Sequence, residues 1–163
     1  SRGLGDVYKR QVQPVGTCVY IVENEMVFSY LMEQVQGKNV SLLCTSGQPR
    51  YAALKLISLI VQSGIPIYYS GGLDPDGIGI ADRLWQRFGN RIQFFGMSPE
   101  DYRNSLSKEV FGENGRKKLE HIWHPLLRET AELVRKTGKA GYQENTLKEL
   151  SEKLVGCDQN QNL

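Results

Sequence analysis

The chain has 163 residues, of which 40% are hydrophobic and 23% are charged, and its formal net charge at neutral pH is +2. These values are typical of one globular domain with its own core, and they exclude a chain-wide basic field, so any DNA contact must use local patches. No apolar run approaches the roughly 18 residues needed to cross a bilayer. With no recognisable signal peptide, the expectation is a cytoplasmic protein without a membrane partner.

The first eleven residues, SRGLGDVYKRQ, show neither a strand period nor a helix period. They resemble translated adapter sequence, and residues 1–11 are therefore set apart as a non-native leader; the alternative is a native disordered arm. Under the first interpretation, the natural protein is longer at its N-terminus. Three cysteines, Cys18, Cys44 and Cys157, lie far apart without metal-ligand spacing, which predicts reduced thiols.

Residues 12–97 alternate between predicted strands and predicted helices. Short apolar runs rich in β-branched and aromatic residues predict buried strands at residues 18–22, 40–44, 65–69 and 91–95. Apolar residues three and four apart predict the helices between them, at residues 25–36, 49–63 and 78–88. This alternation predicts an α/β domain in which a four-stranded parallel sheet is covered on both faces.

After Gly96 the pattern predicts helices only. Residues 98–156 are therefore expected to form a C-terminal helical extension, and residues 157–163 a polar tail. Three helices are predicted in this extension. The first starts at Ser98, the second covers residues 117–136 with an interruption at Pro125, and the last covers residues 146–155. Trp85 and Trp123 lie on apolar stripes and are expected in the core.

Carboxylates follow the first and third predicted strands. Glu23 and Glu25 come after the first, and Asp74 and Asp76 after the third. Ligands bind outside the carboxyl ends of parallel strands, so these acids lie together if the two strands are neighbours. Two carboxylates 4 Å apart repel by about 4 kcal/mol at an effective dielectric constant of 20. Such a cluster needs a cation or a shared proton, and oxygen ligands without histidine favour Mg²⁺ or Mn²⁺.

Simpler interpretations of these acids remain open. The segment at residues 74–77 is also what a tight turn that caps the next helix requires. Glu25 is either a second ligand or, as we favour, an acid that stabilises a helix N-terminus. An EF-hand is excluded because Ile78 and Trp85 occupy positions that need oxygen ligands. A dinucleotide fold is disfavoured because no glycine-rich turn follows the first strand.

Two further segments are candidates for phosphate contacts. Ser46, Gly47 and Arg50 stand at a predicted helix N-terminus, where backbone N–H groups attract phosphate; the alternative is an ordinary strand-to-helix turn. The basic run at residues 116–118 is suited either to DNA phosphates or to a solvated helix start.

Two acidic segments resemble the Toprim motifs of the topoisomerase VI A subunit. Residues 21–28 (IVENEMVF) resemble the first motif, and residues 72–78 (GLDPDGI) resemble the second, in which Asp-x-Asp-Pro-x-Gly-Ile follows strand three. The chain bears a more specific resemblance to the nuclease subunit of Wadjet-type plasmid-defence systems. This resemblance also includes residues 44–49 (CTSGQP) and 142–144 (YQE). The resemblance covers about residues 18–155.

This resemblance implies a Toprim-like three-layer domain that hydrolyses DNA phosphodiesters with Mg²⁺ or Mn²⁺. Glu23 and Asp74 would be catalytic and would bind the metal together with Asp76, and Glu25 and Glu144 are additional acids. The implied partners are DNA and condensin-like SMC subunits, with a DNA-binding domain before this one; a homodimer is compatible with it. Topoisomerases of this superfamily use a tyrosine nucleophile on a separate winged-helix domain. The 163 residues of this chain contain no such domain, so strand passage by the chain alone is not expected.

One position departs from the family pattern. The family has an aspartate where this chain has Gly72, and Asp76 falls on a variable position. The alternatives are a site with one metal instead of two, a shifted site that uses Asp76, and a degraded site. The last would make the chain a non-catalytic DNA-binding or structural module. A nucleotide-handling α/β enzyme unrelated to Toprim proteins would place Glu23 and Asp74 on distant strands.

Overall fold

A computed structural model describes residues 18–155 of the chain. The predicted leader at residues 1–11 and the predicted tail at residues 157–163 lie outside the described residues. The first part alternates strands and helices in the predicted order: β1 (Val19–Val22), α1 (Glu25–Gln34), β2 (Ser41–Cys44), α2 (Arg50–Gln62), β3 (Ile67–Ser70), α3 (Pro75–Phe88) and β4 (Ile92–Phe94).

The four strands form one parallel sheet in the order β2-β1-β3-β4, which confirms the predicted α/β class and its four-stranded sheet. The chain leaves β1 for β2 on one side and then returns past β1 to β3 on the other. This reversal creates a crevice outside the carboxyl ends of β1 and β3, where open α/β sheets bind their ligands.

The second part contains helices and two further strands: α4 (Pro99–Ser105), β5 (Leu106–Val110), α5 (Glu113–Lys118), α6 (Pro125–Thr137), β6 (Lys139–Gly141) and α7 (Leu147–Glu152). The prediction of helices only is wrong here, because β5 and β6 pair as an antiparallel ribbon. Most of β5 is exposed, so its sequence lacks the apolar run by which buried strands are recognised.

Helices cover both faces of the sheet, which confirms the predicted three layers. Successive strand residues point to opposite faces, and those of β1 join two different cores. Val19 and Ile21 pack with residues of α2, α3 and α6. Tyr20 and Val22 pack with residues of α1 and α7. Residues from the predicted C-terminal extension therefore share both cores with the sheet.

Residues 123–124, which precede α6, are hydrogen-bonded to a buried carboxylate of α3. Asp82 is only 1% exposed and accepts hydrogen bonds from the backbone N–H groups of Trp123 (3.0 Å) and His124 (2.8 Å), and from Gln86 Nε2 (2.8 Å). The expectation of a core Trp123 is wrong, because its side chain is 64% exposed. It lies outside any helix, where helical spacing does not predict burial.

The structure bears on membrane-crossing helices and on the state of one cysteine. Within residues 18–155, no helix has the length and apolar character that crossing a membrane requires. The prediction of reduced thiols is wrong for Cys18, which is disulfide-bonded. The wide spacing of the cysteines along the sequence does not measure their separation in the fold.

Candidate functional site at the carboxyl end of the sheet

A cavity of about 610 Å³ opens at the carboxyl ends of β1 and β3, and we call it the acidic cavity. Its lining brings together all five predicted acids, namely Glu23, Glu25, Asp74, Asp76 and Glu144. No lysine, arginine or histidine is among the described residues that line it. Because β1 and β3 are neighbours in the sheet, the two acidic segments meet here.

Glu23 follows the last residue of β1 and is half-buried. Burial raises the pKa of its carboxyl above the ordinary value, the neighbouring Tyr69 hydroxyl lowers it by a smaller amount, and the charge of Asp74 raises it further. The Glu23 carboxylate is therefore less stable inside the protein than in water.

The Tyr69 hydroxyl is a buried polar atom without a partner. Its approach to Glu23 does not have hydrogen-bond geometry, and no other described group bonds it. Burial, followed by the charge of Glu23, raises the pKa of Tyr69 well above its ordinary value, so the phenol keeps its proton. Gly71 completes this packing, since a Cβ there would lie 2.9 Å from Glu23 Oε2 and 3.4 Å from the Tyr69 ring.

We expect Glu23→Gln to stabilise the metal-free protein at neutral pH. Folding raises the pKa of this carboxyl, so the folded state disfavours its charged form. The protein is therefore not destabilised below the pKa of the unfolded state, and it loses stability as the pH rises from there through the pKa of the folded state. The neutral amide avoids that loss. Melting temperatures in EDTA should therefore be higher for Glu23→Gln at neutral pH, and the difference should vanish at a pH of about 4.

The matched control is Glu129→Gln, at an exposed position on α6 outside the cavity. An equal gain in Glu129→Gln, or a Glu23→Gln gain that persists at acidic pH, would show that Glu23 carries no unfavourable charge.

Asp74 caps α3, as the simpler interpretation of this segment predicts. Its Oδ1 accepts a hydrogen bond of 2.7 Å from Gly77 N. Its Oδ2 has no hydrogen-bond partner among the described residues, so one oxygen of a fixed carboxylate remains available at the cavity. Gly77 allows this tight turn, because a Cβ there would lie 2.2 Å from the carbonyl oxygen of Gly72.

Asp76 has a different environment from Asp74. Its carboxylate forms an ion pair of 2.7 Å with Nζ of Lys118, the last residue of the predicted basic run, and both side chains are more than half exposed. An exposed pair of this kind contributes about 0–1 kcal/mol, so it fixes Asp76 only weakly. Glu25, the first residue of α1, is exposed and stands in its first turn, where an acid stabilises a helix.

Glu144 reaches the cavity through a contact that joins distant parts of the chain. Its Oε1 accepts a hydrogen bond of 2.8 Å from Asn24 Nδ2, and the oxygen of the same Asn24 amide caps α1. The adjacent Gln143 donates from Nε2 to Ser70 Oγ at the end of β3 (2.9 Å), while its buried Oε1 has no hydrogen-bond partner among residues 18–155. Sequence reasoning assigned no role to Asn24, Gln143 or Tyr69, because nothing local distinguishes them from capping or core residues.

The predicted phosphate-binding residues are divided between two cavities. Ser46 lines the acidic cavity, whereas Arg50 lines a second cavity on the other side of Glu23. Gly47 lies between them in a turn with φ of +76°, a conformation that favours glycine. The helix that follows has no side-chain cap at its N-terminus, since its N-cap residue is Pro49.

The acids share a cavity without converging on one point. Among residues 18–155, no group of three or more His, Cys, Asp or Glu side chains is placed to hold a metal ion. A metal would therefore have to bind through fewer protein ligands than in an all-protein cage.

The fold and site define an α/β domain with an acidic cavity at the switch point of a parallel sheet. The chain belongs to the family described as protein of unknown function C-terminus (DUF2399), whose profile matches residues 2–154. That match includes residues 2–11 and so gives no support for setting them apart as foreign. No curated protein matches the chain.

Proposed function

We propose that the chain is the Toprim-like domain of a Mg²⁺-dependent DNA endonuclease of the Wadjet plasmid-defence type. The observation that carries this proposal is the acidic cavity, in which five carboxylates and no basic side chain line the switch point between β1 and β3. Such a concentration of negative charge favours a bound cation. The adjacency of β1 and β3 argues against an unrelated nucleotide-handling enzyme, for which the two acids would stand on distant strands.

The residues present fit Mg²⁺ or Mn²⁺. Magnesium is usually held by one or two carboxylates together with waters and substrate phosphates, so it does not need three converging acids. Glu23 and Asp74 would hold it, and the unpartnered Tyr69 hydroxyl and Gln143 Oε1 offer further polar atoms near the same end of the sheet. The bound metal would polarise the phosphodiester and lower the pKa of an attacking water.

The protein side chains have distinct roles in this proposal. The raised pKa of Glu23 suits it as a general base, which accepts the proton of the attacking water. Asp74 is held by the Gly77 N–H, so its orientation is fixed before substrate binds. Asn24 orients Glu144 towards the same cavity. Asp76 is free to join only if its exposed ion pair with Lys118 opens.

The Toprim resemblance also supplies the proposed partners. These are DNA, condensin-like SMC subunits that deliver it, and a DNA-binding domain before this one, in a cytoplasmic setting. A second copy of the chain is a further proposed partner.

A non-catalytic DNA-binding or structural module is the second candidate. It is favoured by Gly72, which replaces an acid of the family pattern, and by the lack of three converging ligands among the described residues.

Nicking of supercoiled plasmid tests the two candidates against each other. The nuclease proposal expects nicking with Mg²⁺ or Mn²⁺ and none in EDTA. Glu23→Gln should lower the rate by at least about 100-fold, because even residues that only support a metal ligand typically contribute 10–100-fold. Glu129→Gln should leave it unchanged. Plasmid binding without nicking under either metal, with and without condensin-like partners, would establish the module instead.

A further inference from the structure

The second cavity shares a wall with the acidic cavity and has the opposite charge. It lies between α2 and α3, has a volume of about 610 Å³, and is here called the arginine cavity. Glu23 and Ile80 line both cavities. The two cavities therefore meet at Glu23 and Ile80.

Three arginines line the arginine cavity, and their charge is not neutralised. Arg83 and Arg87 stand one turn apart on α3, and Arg50 is the first residue of α2. All three are exposed, and the ion pairs among the described residues include none of them. Glu23 is the only acid among the described lining residues, so the formal charge of this lining is +2 (three arginines against one glutamate). Arginine binds phosphate through two parallel N–H donors, which makes a phosphate group the natural anion here.

The interior of the arginine cavity is apolar. Ala53, Leu54 and Ile57 of α2 face it together with Leu84 of α3, and Tyr69 closes it at the sheet. The Tyr69 hydroxyl is buried and has no hydrogen-bond partner in the described part of the chain, so it is a polar group available to a ligand. A volume within about 300–1,000 Å³, apolar walls and a few polar groups are the features of small-ligand pockets. Inorganic phosphate would leave these apolar walls unused, whereas a nucleotide has both an anionic and an aromatic part.

We propose that the arginine cavity binds an unpaired nucleotide of a single DNA strand, next to the phosphate that the acidic cavity receives. The arginines hold its phosphates, and its base packs against the apolar walls, as bases do on the surfaces of proteins that bind single strands. A base paired within a duplex cannot enter such a cavity. This assignment rests on the proposed nuclease function and specifies its substrate class as DNA with unpaired nucleotides at the cleavage point.

Binding of a short fluorescein-labelled oligothymidylate in EDTA tests the assignment without cleavage. Fluorescence anisotropy should show that Arg83→Ala with Arg87→Ala weakens binding by at least about tenfold and lowers the slope of log K against log salt concentration by about 0.7 per arginine. Arg103→Ala, on an exposed position of α4 outside both cavities, is the matched control. Ala53→Trp, which fills the cavity without changing charge, should weaken oligothymidylate binding equally while the melting temperature stays near that of the wild type.

The outcomes separate this assignment from the nuclease proposal. Loss of oligothymidylate binding in the arginine variants supports the assignment whether or not plasmid is nicked. Unchanged binding in the arginine and Ala53→Trp variants overturns it, even if Mg²⁺-dependent nicking is observed. Equal binding of a duplex of the same length, with equal losses in these variants, overturns the claim of an unpaired nucleotide. Weaker binding in Arg103→Ala to the same degree would show that only the overall charge matters.

Discussion

Asp74→Asn is expected to abolish both the metal response and the metal-dependent nicking of the protein. Asparagine is as good an N-cap as aspartate, so its side-chain oxygen can still accept from Gly77 N and preserve the start of α3. The substitution removes the charge and the second carboxylate oxygen, which are what a magnesium ion requires. Nicking should fall by at least about 100-fold, since even supporting residues of metal sites contribute 10–100-fold.

The melting temperature provides a readout that does not depend on activity. If the Kd for Mg²⁺ is about 1 mM, 10 mM Mg²⁺ stabilises the folded protein by about 1.4 kcal/mol. For a chain of this size, that corresponds to a rise of about 3–6 °C. We expect the wild type to show this rise and Asp74→Asn to show none, with the two proteins melting at nearly the same temperature in EDTA.

Asp101→Asn is the matched control, because it makes the same change in the first turn of another helix outside the cavity. It should keep the full response to Mg²⁺. Asp76→Asn addresses the shifted-site alternative, and we expect only a small effect, because the carboxylate of Asp76 is exposed and paired with Lys118. A rise in melting temperature that survives Asp74→Asn and disappears in Asp76→Asn would move the metal to Asp76.

Gly72→Asp is expected to increase Mg²⁺ affinity by about tenfold or more and to increase nicking, while it destabilises the metal-free protein. The position has room for a side chain, since the nearest atom to a Cβ there is Asp74 Oδ1 at 3.9 Å. Gly72 is not among the glycines with positive φ, so aspartate meets no backbone strain. A new carboxylate beside Asp74 adds repulsion of up to about 4 kcal/mol at 4 Å, which water reduces and a bound cation reverses.

Gly72→Asn separates the charge from the shape, because it adds a side chain of the same size without a carboxylate. Isothermal titration with Mg²⁺, melting in EDTA and plasmid nicking should be measured on both variants. The expected result is that only the aspartate gains affinity and loses metal-free stability. If both variants gain equally, the effect is one of loop shape, and the missing acid of the family pattern has no bearing on the metal.

Much of the fold could be predicted from local patterns. The short β-branched and aromatic runs of β1 to β4 and the apolar spacing of α1 to α3 are properties of neighbouring residues, and they predicted a parallel sheet with acids after its first and third strands. The ribbon of β5 and β6 could not be predicted, because β5 is mostly exposed, β6 has only three residues, and the two pair across a gap of some thirty residues. The burial of Asp82 also depends on distant backbone N–H groups, which no local period reveals.

For the site, the sequence by itself determined which acids follow the strands, because strand ends and helix caps are local features. Only the tertiary structure decided that β1 lies beside β3, which brings Glu23 and Asp74 to one cavity. It also placed Glu144 against Asn24, 120 residues away, and left Asp76 paired with Lys118. The opposite charges of the two cavities were likewise decided only by the tertiary structure. They depend on which helices flank the same strands, and residues remote along the chain meet only when the sheet is assembled.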